Sequence, residues 1–155
     1  MKKWTFLALT LAILLLLGAC GKKEESSSSA TSDDKTITIK HELGEAKVKE
    51  NPDKVVVFDF GVLDTLDELG VKVDGVPQAA VPPYLEDYKN SDYTNVGSLK
   101  EPDFEAIHSL KPDVIFISAR QADLYDEFAD IAPTVYIPVD STDYVNSFKS
   151  NMNTI

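Results

Sequence analysis

One arginine, Arg120, stands among 15 basic and 26 acidic residues. Its guanidinium is a planar fork of donors suited to carboxylate-like oxygens. It lies just past the apolar run Val114-Ile115-Phe116-Ile117-Ser118. Lys100 stands in a similar place, after Val96-Gly97-Ser98-Leu99. If both runs are strands of an open parallel sheet, their carboxyl ends form the rim where ligands bind. Two cations on that rim favour an anionic ligand locally, although the chain carries a net charge of −11. Tyr84 and Tyr88, beside Pro82-Pro83, are aromatic candidates for the same rim. Each has a plainer reading. Arg120 can cap a helix or pair with Asp123 or Glu127, Lys100 can be solvated, and the tyrosines can pack their own loop against the domain.

Other chemistries find little support. The run Lys54 to Phe60 is not followed by G-x-G-x-x-G, and neither a P-loop nor G-x-S-x-G is present. His41 and His108 fall in unrelated elements, without metal-ligand spacing. Asp59 could be a catalytic carboxylate of a surface hydrolase, but it has no nucleophile–base partner. The residue type and place fit better a carboxylate accepting from a helix N-terminus. The scarcity of arginine and the acidic balance exclude a nucleic-acid binder. One cysteine excludes an internal disulfide and an all-Cys zinc site.

The elements that must position these residues read as an α/β pattern. Thr36 to Lys40 and Ala46 to Lys49 alternate around Gly44, a hairpin. Lys54 to Phe60 is a β-branched run of a doubly buried strand. Val62, Leu66 and Leu69 line a helix that Gly70 ends. A strand follows over Val71 to Val76, a loop over Ala79 to Ser91, and a short strand near Tyr93 to Val96. Pro102 is placed as the first residue of a helix burying Phe104, Ile107 and Leu110. Val114 to Ser118 is another doubly buried strand. Ala119-Arg120-Gln121 opens a helix with Leu124, Phe128 and Ile131 inward. Thr134 to Val139 is a strand whose Pro138 points to a sheet edge. Asp140 to Asp143 caps a last helix with Tyr144, Phe148 and Met152 on one face. The alternation predicts a Rossmann-like parallel sheet with helices on both faces.

The N-terminus reads differently. Lys2 and Lys3 precede the apolar run Phe6 to Leu17, shorter than the roughly 20 residues of a membrane span. Leu17-Gly18-Ala19-Cys20 resembles a bacterial lipoprotein signal, in which the cysteine is acylated and becomes the new N-terminus. Gly21 to Lys35 is polar and serine-rich, the composition of a flexible tether. The expected organisation is a signal over 1–19, a tether over 20–35, an α/β lobe over 36–142 and a helix from 143 to 155.

The segment Gly97-Ser98-Leu99-Lys100-Glu101-Pro102-Asp103-Phe104-Glu105-Ala106-Ile107, with Leu110-Lys111-Pro112-Asp113 before a buried strand, resembles the periplasmic-binding-protein-like receptors for iron siderophores and cobalamin. Asn51-Pro52-x-x-Val55-Val56 and Leu69-Gly70-Val71 fit the same pattern, and Ser118-Ala119-Arg120-Gln121 resembles the petrobactin-type catecholate members. The resemblance covers Thr36 to Ile155. It implies the N-terminal lobe of a two-lobed receptor, with residues 143–155 beginning the helix that links the lobes and the second lobe absent. It implies an anionic ferric siderophore as ligand, contacted by Arg120 and Lys100. It implies an ABC permease as partner, met by Glu105, and anchoring through Cys20 on the extracellular face of a Gram-positive-like membrane. The siderophore brings its own iron fully coordinated, so no resident cofactor, metal ligand or catalytic residue is expected. A cobalamin or heme receptor of the same fold, and a non-functional fragment, are the alternatives.

Overall fold

The computed structural model describes residues 35–155. The signal, Cys20 and nearly all of the tether lie outside the described residues.

Strands β1 (Thr36–His41) and β2 (Gly44–Lys49) form an antiparallel hairpin closed at Glu42-Leu43, with His41 opposite Gly44. A two-stranded hairpin is marginal alone. This one buries Ala46 and Val48 in the core of the lobe.

Five parallel strands make the main sheet: β3 (Val55–Val57), β4 (Gly75–Val76), β5 (Thr94–Asn95), β6 (Val114–Ile117) and β7 (Thr134–Tyr136). Their order is β5-β4-β3-β6-β7. The chain therefore moves outward one way from β3, then returns past it to β6 and moves the other way. The switch point lies between β3 and β6. The Rossmann-like fold expected from the alternation is the one observed, and β7 is an edge strand as Pro138 indicated.

The pleat sorts β3 onto two faces. Val55 and Val57 join one apolar cluster with Leu63, Leu66 and Val135, while Val56 and Phe58 join the other with Ile107, Ile117 and Phe128. Helix α1 (Phe60–Glu68) covers the first face. Helices α2 (Phe104–Leu110) and α3 (Tyr125–Ala129) cover the second. Helix α4 (Tyr144–Thr154) lies along the lobe on the α1 side: Thr65 Oγ1 meets Met152 Sδ at 3.4 Å, and Asn151 donates to the Pro138 carbonyl at 2.9 Å.

Several boundaries differ from the sequence reading, each for a local reason. The β3 strand stops early because Asp59 caps α1, so Phe60 and Gly61 are helical. Pro102 lies outside α2, where Asp103 is the cap; it bridges instead to Gly97. The stretch after β4 is not a plain loop but two 3₁₀ segments, Gln78–Ala80 and Pro83–Lys89. Ala119–Leu124 is also 3₁₀, and α3 begins only at Tyr125. Gly70 does end α1, with φ at +68°.

Candidate functional site

At the carboxyl end of β3 the Asp59 Oδ1 accepts from the amides of Gly61 at 2.9 Å and Val62 at 3.0 Å. One carboxylate oxygen is thus committed to the start of α1. This is the capping role, and among the described residues no base or nucleophile is hydrogen-bonded to it. A small cavity of about 70 Å³ opens beside this cap, lined by Asp59, Gly61, Val139, Tyr144 and Phe148.

Across the switch point β6 ends at Ile117, Ser118 caps the following 3₁₀ turn, and Arg120 lies in that turn. Its side chain is exposed and makes no hydrogen bond or ion pair among the described residues. The alternative pairing with Asp123 or Glu127 is therefore not formed. The next residue behaves oppositely. Gln121 is 1% exposed, its Oε1 accepts from the Ser118 amide at 3.3 Å, and its Nε2 donates to the Leu99 carbonyl at 2.6 Å. That bond joins the turn carrying Arg120 to the loop carrying Lys100.

The Lys100 loop is itself stiff. Gly97 has φ at +92°, and a Cβ there would sit 2.5 Å from the Glu101 carbonyl oxygen. Only glycine fits this approach. Ser98 N donates to Glu101 O at 2.9 Å, Ser98 Oγ accepts from Glu101 N at 3.0 Å, and Asp103 N donates to Val96 O at 2.9 Å. Lys100 rides on this frame with an exposed side chain.

The two tyrosines separate. Tyr84 is 68% exposed on the 3₁₀ segment that follows the end of β4. Tyr88 is a correction: it is 5% exposed within the core cluster, and its hydroxyl donates to Asp67 at 2.8 Å. Asp67 is near the carboxyl end of α1, which runs away from the rim, so this phenol points away from a ligand there. Burial and the Asp67 carboxylate push its pKa well up, which keeps the proton on the donor. The loop-packing reading holds for Tyr88. Glu105 lies in the first turn of α2, exposed, on the outer surface of the lobe.

Sequence reasoning missed the amides that build the rim. Gln78 Nε2 reaches the carbonyls of Tyr88 and Asn90 at 3.0 Å each, and Asn95 Oδ1 accepts from Gly97 N at 3.2 Å. Loop backbone groups need such partners. The signal available was only that Gln78 falls two residues beyond β4 and that Asn95 is the last residue of β5. A roomier pocket of about 440 Å³ lies between the hairpin end, the end of β7 and α4; its wall holds Lys40 and His41 but neither Arg120 nor Lys100. No group of three or more metal-ligating side chains occurs among the described residues.

The fold defines a class: an α/β lobe whose parallel sheet reverses its strand order between β3 and β6. Residues 55–155 match the periplasmic binding protein family, and the chain belongs to it. Petrobactin-binding protein YclQ of Bacillus subtilis is 48% identical over 159 residues, covering 100% of this chain and 50% of its relative. The probable siderophore-binding lipoprotein YfiY of the same organism is 37% identical, covering 87% of this chain and 43% of its own length. The crystal structure of YclQ superposes with a TM-score of 0.75 at 53% identity, covering 77% of this chain and 44% of that one. The chain thus spans about half the length of the curated relatives it matches.

Proposed function

We propose that this chain is the N-terminal lobe of a receptor that binds an anionic ferric siderophore of petrobactin or catecholate type and passes it to an ABC permease for iron uptake. The observation that carries the reading is Arg120, the sole arginine, exposed and without a partner among the described residues beside the β3–β6 switch point. The similarity to a petrobactin-binding protein supports the ligand class. Arg120 and Lys100 meet the negative charge of the complex by charge-assisted hydrogen bonds. Tyr84 offers a ring to its aromatic groups. Iron enters as cargo inside the siderophore, and the lobe supplies no cofactor or catalytic group. Cys20 anchors the receptor by its lipid to the outer face of the membrane, and the tether holds the lobe near the permease. Glu105 is the lobe's contact for a basic patch on that permease.

The test is titration of the protein, carried to the length of its relatives, with ferric petrobactin, a ferric catecholate, a ferric hydroxamate and cobalamin, followed by tyrosine fluorescence. Saturable quenching by the first two is expected. No saturable binding of either ends the reading. Glu105→Lys is expected to leave binding unchanged and lower iron uptake by cells, since it touches only the permease step.

A further inference from the structure

Gln121 is buried beside the one rim arginine, yet its polar atoms turn inward. We propose that Gln121 is a positioning residue that sets the spacing between Arg120 and Lys100, and hence the charge geometry that a ferric siderophore meets. This rests on the reading of the rim just given.

The amide spans two segments 22 positions apart. On one side its Oε1 holds the amide of Ser118, the residue just past the end of β6. On the other its Nε2 holds the carbonyl of Leu99, the immediate neighbour of Lys100. Only one orientation serves both. Turned over, it would set an oxygen against the Leu99 carbonyl and an N–H against the Ser118 amide. A buried polar group is costly to leave unpaired, so the orientation is locked.

Both attached segments are braced by their own backbone hydrogen bonds. The Gly97–Asp103 loop is closed on itself by the Ser98–Glu101 and Asp103–Val96 bonds. Arg120 is bracketed by Ser118 and Gln121, whose backbones are bonded at 3.0 Å. The amide is therefore a direct tie between two otherwise stiff bodies, each carrying one rim cation. A nonpolar side chain of similar length fills the same space without making the tie.

The experiment compares Gln121→Met and Gln121→Glu, alone and with Lys100→Ala, in the protein at the length of its relatives. Folding is checked by circular dichroism. Two quantities are read: amide hydrogen exchange over residues 98–101, and affinity for ferric petrobactin. In Gln121→Met the exchange is expected to quicken and the affinity to fall about tenfold, shrinking to under about threefold when Lys100 is already alanine, the non-additivity of coupled sites. Gln121→Glu sets a carboxylate against the Leu99 carbonyl. Its affinity relative to wild type is expected to recover as pH falls and the neutral carboxyl regains a donor, while the methionine variant does not recover. A folded Gln121→Met with wild-type exchange and wild-type affinity overturns the proposal. So does an equal loss of affinity in both Lys100 backgrounds, which makes Gln121 merely structural. Should the wild-type protein bind no ferric complex, the reading of the site falls, and the exchange over residues 98–101 alone decides for or against the tie.

Discussion

The two ends of the main sheet use their cations in opposite ways. At the amino end Lys49 pairs with Asp113 at 2.9 Å, Lys54 donates to the Leu110 carbonyl at 2.9 Å, and Lys72 pairs with Asp74. Asp113 also accepts from the amides of Asp53 at 2.9 Å and Lys54 at 3.0 Å, and Asp74 from Val55 at 3.1 Å. The charges of Lys49, Lys54 and Lys72 are thus satisfied within the fold, while Lys111 on the same side stays exposed. At the carboxyl end the backbone is held by neutral amides, Gln78, Asn95 and Gln121, and by the Asp59 cap of α1. Arg120 and Lys100 are left with exposed charge. One end is closed mostly by internal pairing, while the other is braced in its backbone and open in its charge, the preorganisation that the proposed binding surface calls for.

The largest test of this contrast is Arg120→Ala. It should weaken binding of an anionic ferric siderophore by roughly 1–3 kcal/mol, the range for a lost charged hydrogen bond, and leave thermal stability unchanged. Unchanged affinity removes Arg120 from the site. The matching change at the other end is Asp113→Ala. It strips an acceptor from two backbone amides and from Lys49, so unfolding stability should fall by about 1–3 kcal/mol while affinity holds. The hydrogen bond from Lys49 holds the Asp113 carboxyl below its ordinary value of 3.8. Its stabilisation is therefore complete above that value and lost as pH falls through the lower folded value. Denaturant melts across acid pH should show a loss in wild type that the alanine variant lacks.

Much of this contrast could be read from the sequence, but not evenly. The doubly buried strands, the switch-point rim and the place of Arg120 and Lys100 followed from apolar runs and the α/β alternation. Asp59 was legible too, because a carboxylate at a strand end before a helix has one common role. Tyr88 was not, since a tyrosine in a proline-rich loop looks the same whether its ring faces a ligand or the core. What decided it was Asp67, 21 positions away in sequence. Gln121 and Gln78 were invisible for the same reason: their partners, Leu99 and the carbonyls at 88–93, are set by tertiary approach. Strand lengths were overread because a cap such as Asp59, or a bridge such as Gly97 to Pro102, ends an element before its apolar pattern ends.

A smaller effect sharpens the contrast at the hairpin. His41 Nε2 bonds the Thr134 carbonyl at 3.1 Å, and its ring packs edge-on against Tyr125 and Tyr136. Its Nδ1 is buried without a hydrogen-bond partner among the described residues. Burial lowers the imidazole pKa from its ordinary 6.5, the Thr134 carbonyl opposing in part. The folded state therefore binds fewer protons than the unfolded one. Stability should be full above about pH 6.5 and decline as pH falls from there through the folded value. His41→Gln should flatten that slope in melts between pH 7 and pH 5, and an unchanged slope assigns it elsewhere.

The smallest prediction asks whether an unpaired cation is by itself a mark of function. Lys111, also on the amino side of the sheet, is exposed and ends α2 with φ at +53°. An L-residue is strained there, and glycine is not. Lys111→Gly should therefore stabilise the lobe by about 0.5–1 kcal/mol, the relief of strain outweighing the added freedom of the unfolded chain. Affinity for the ferric complex should not change. A loss of affinity comparable to that of Arg120→Ala would mean that long-range charge, rather than contact at the rim, holds the ligand. Salt dependence separates these two cases, because exposed charges more than about 10 Å apart are screened at 0.1 M salt while contact pairs are screened much less.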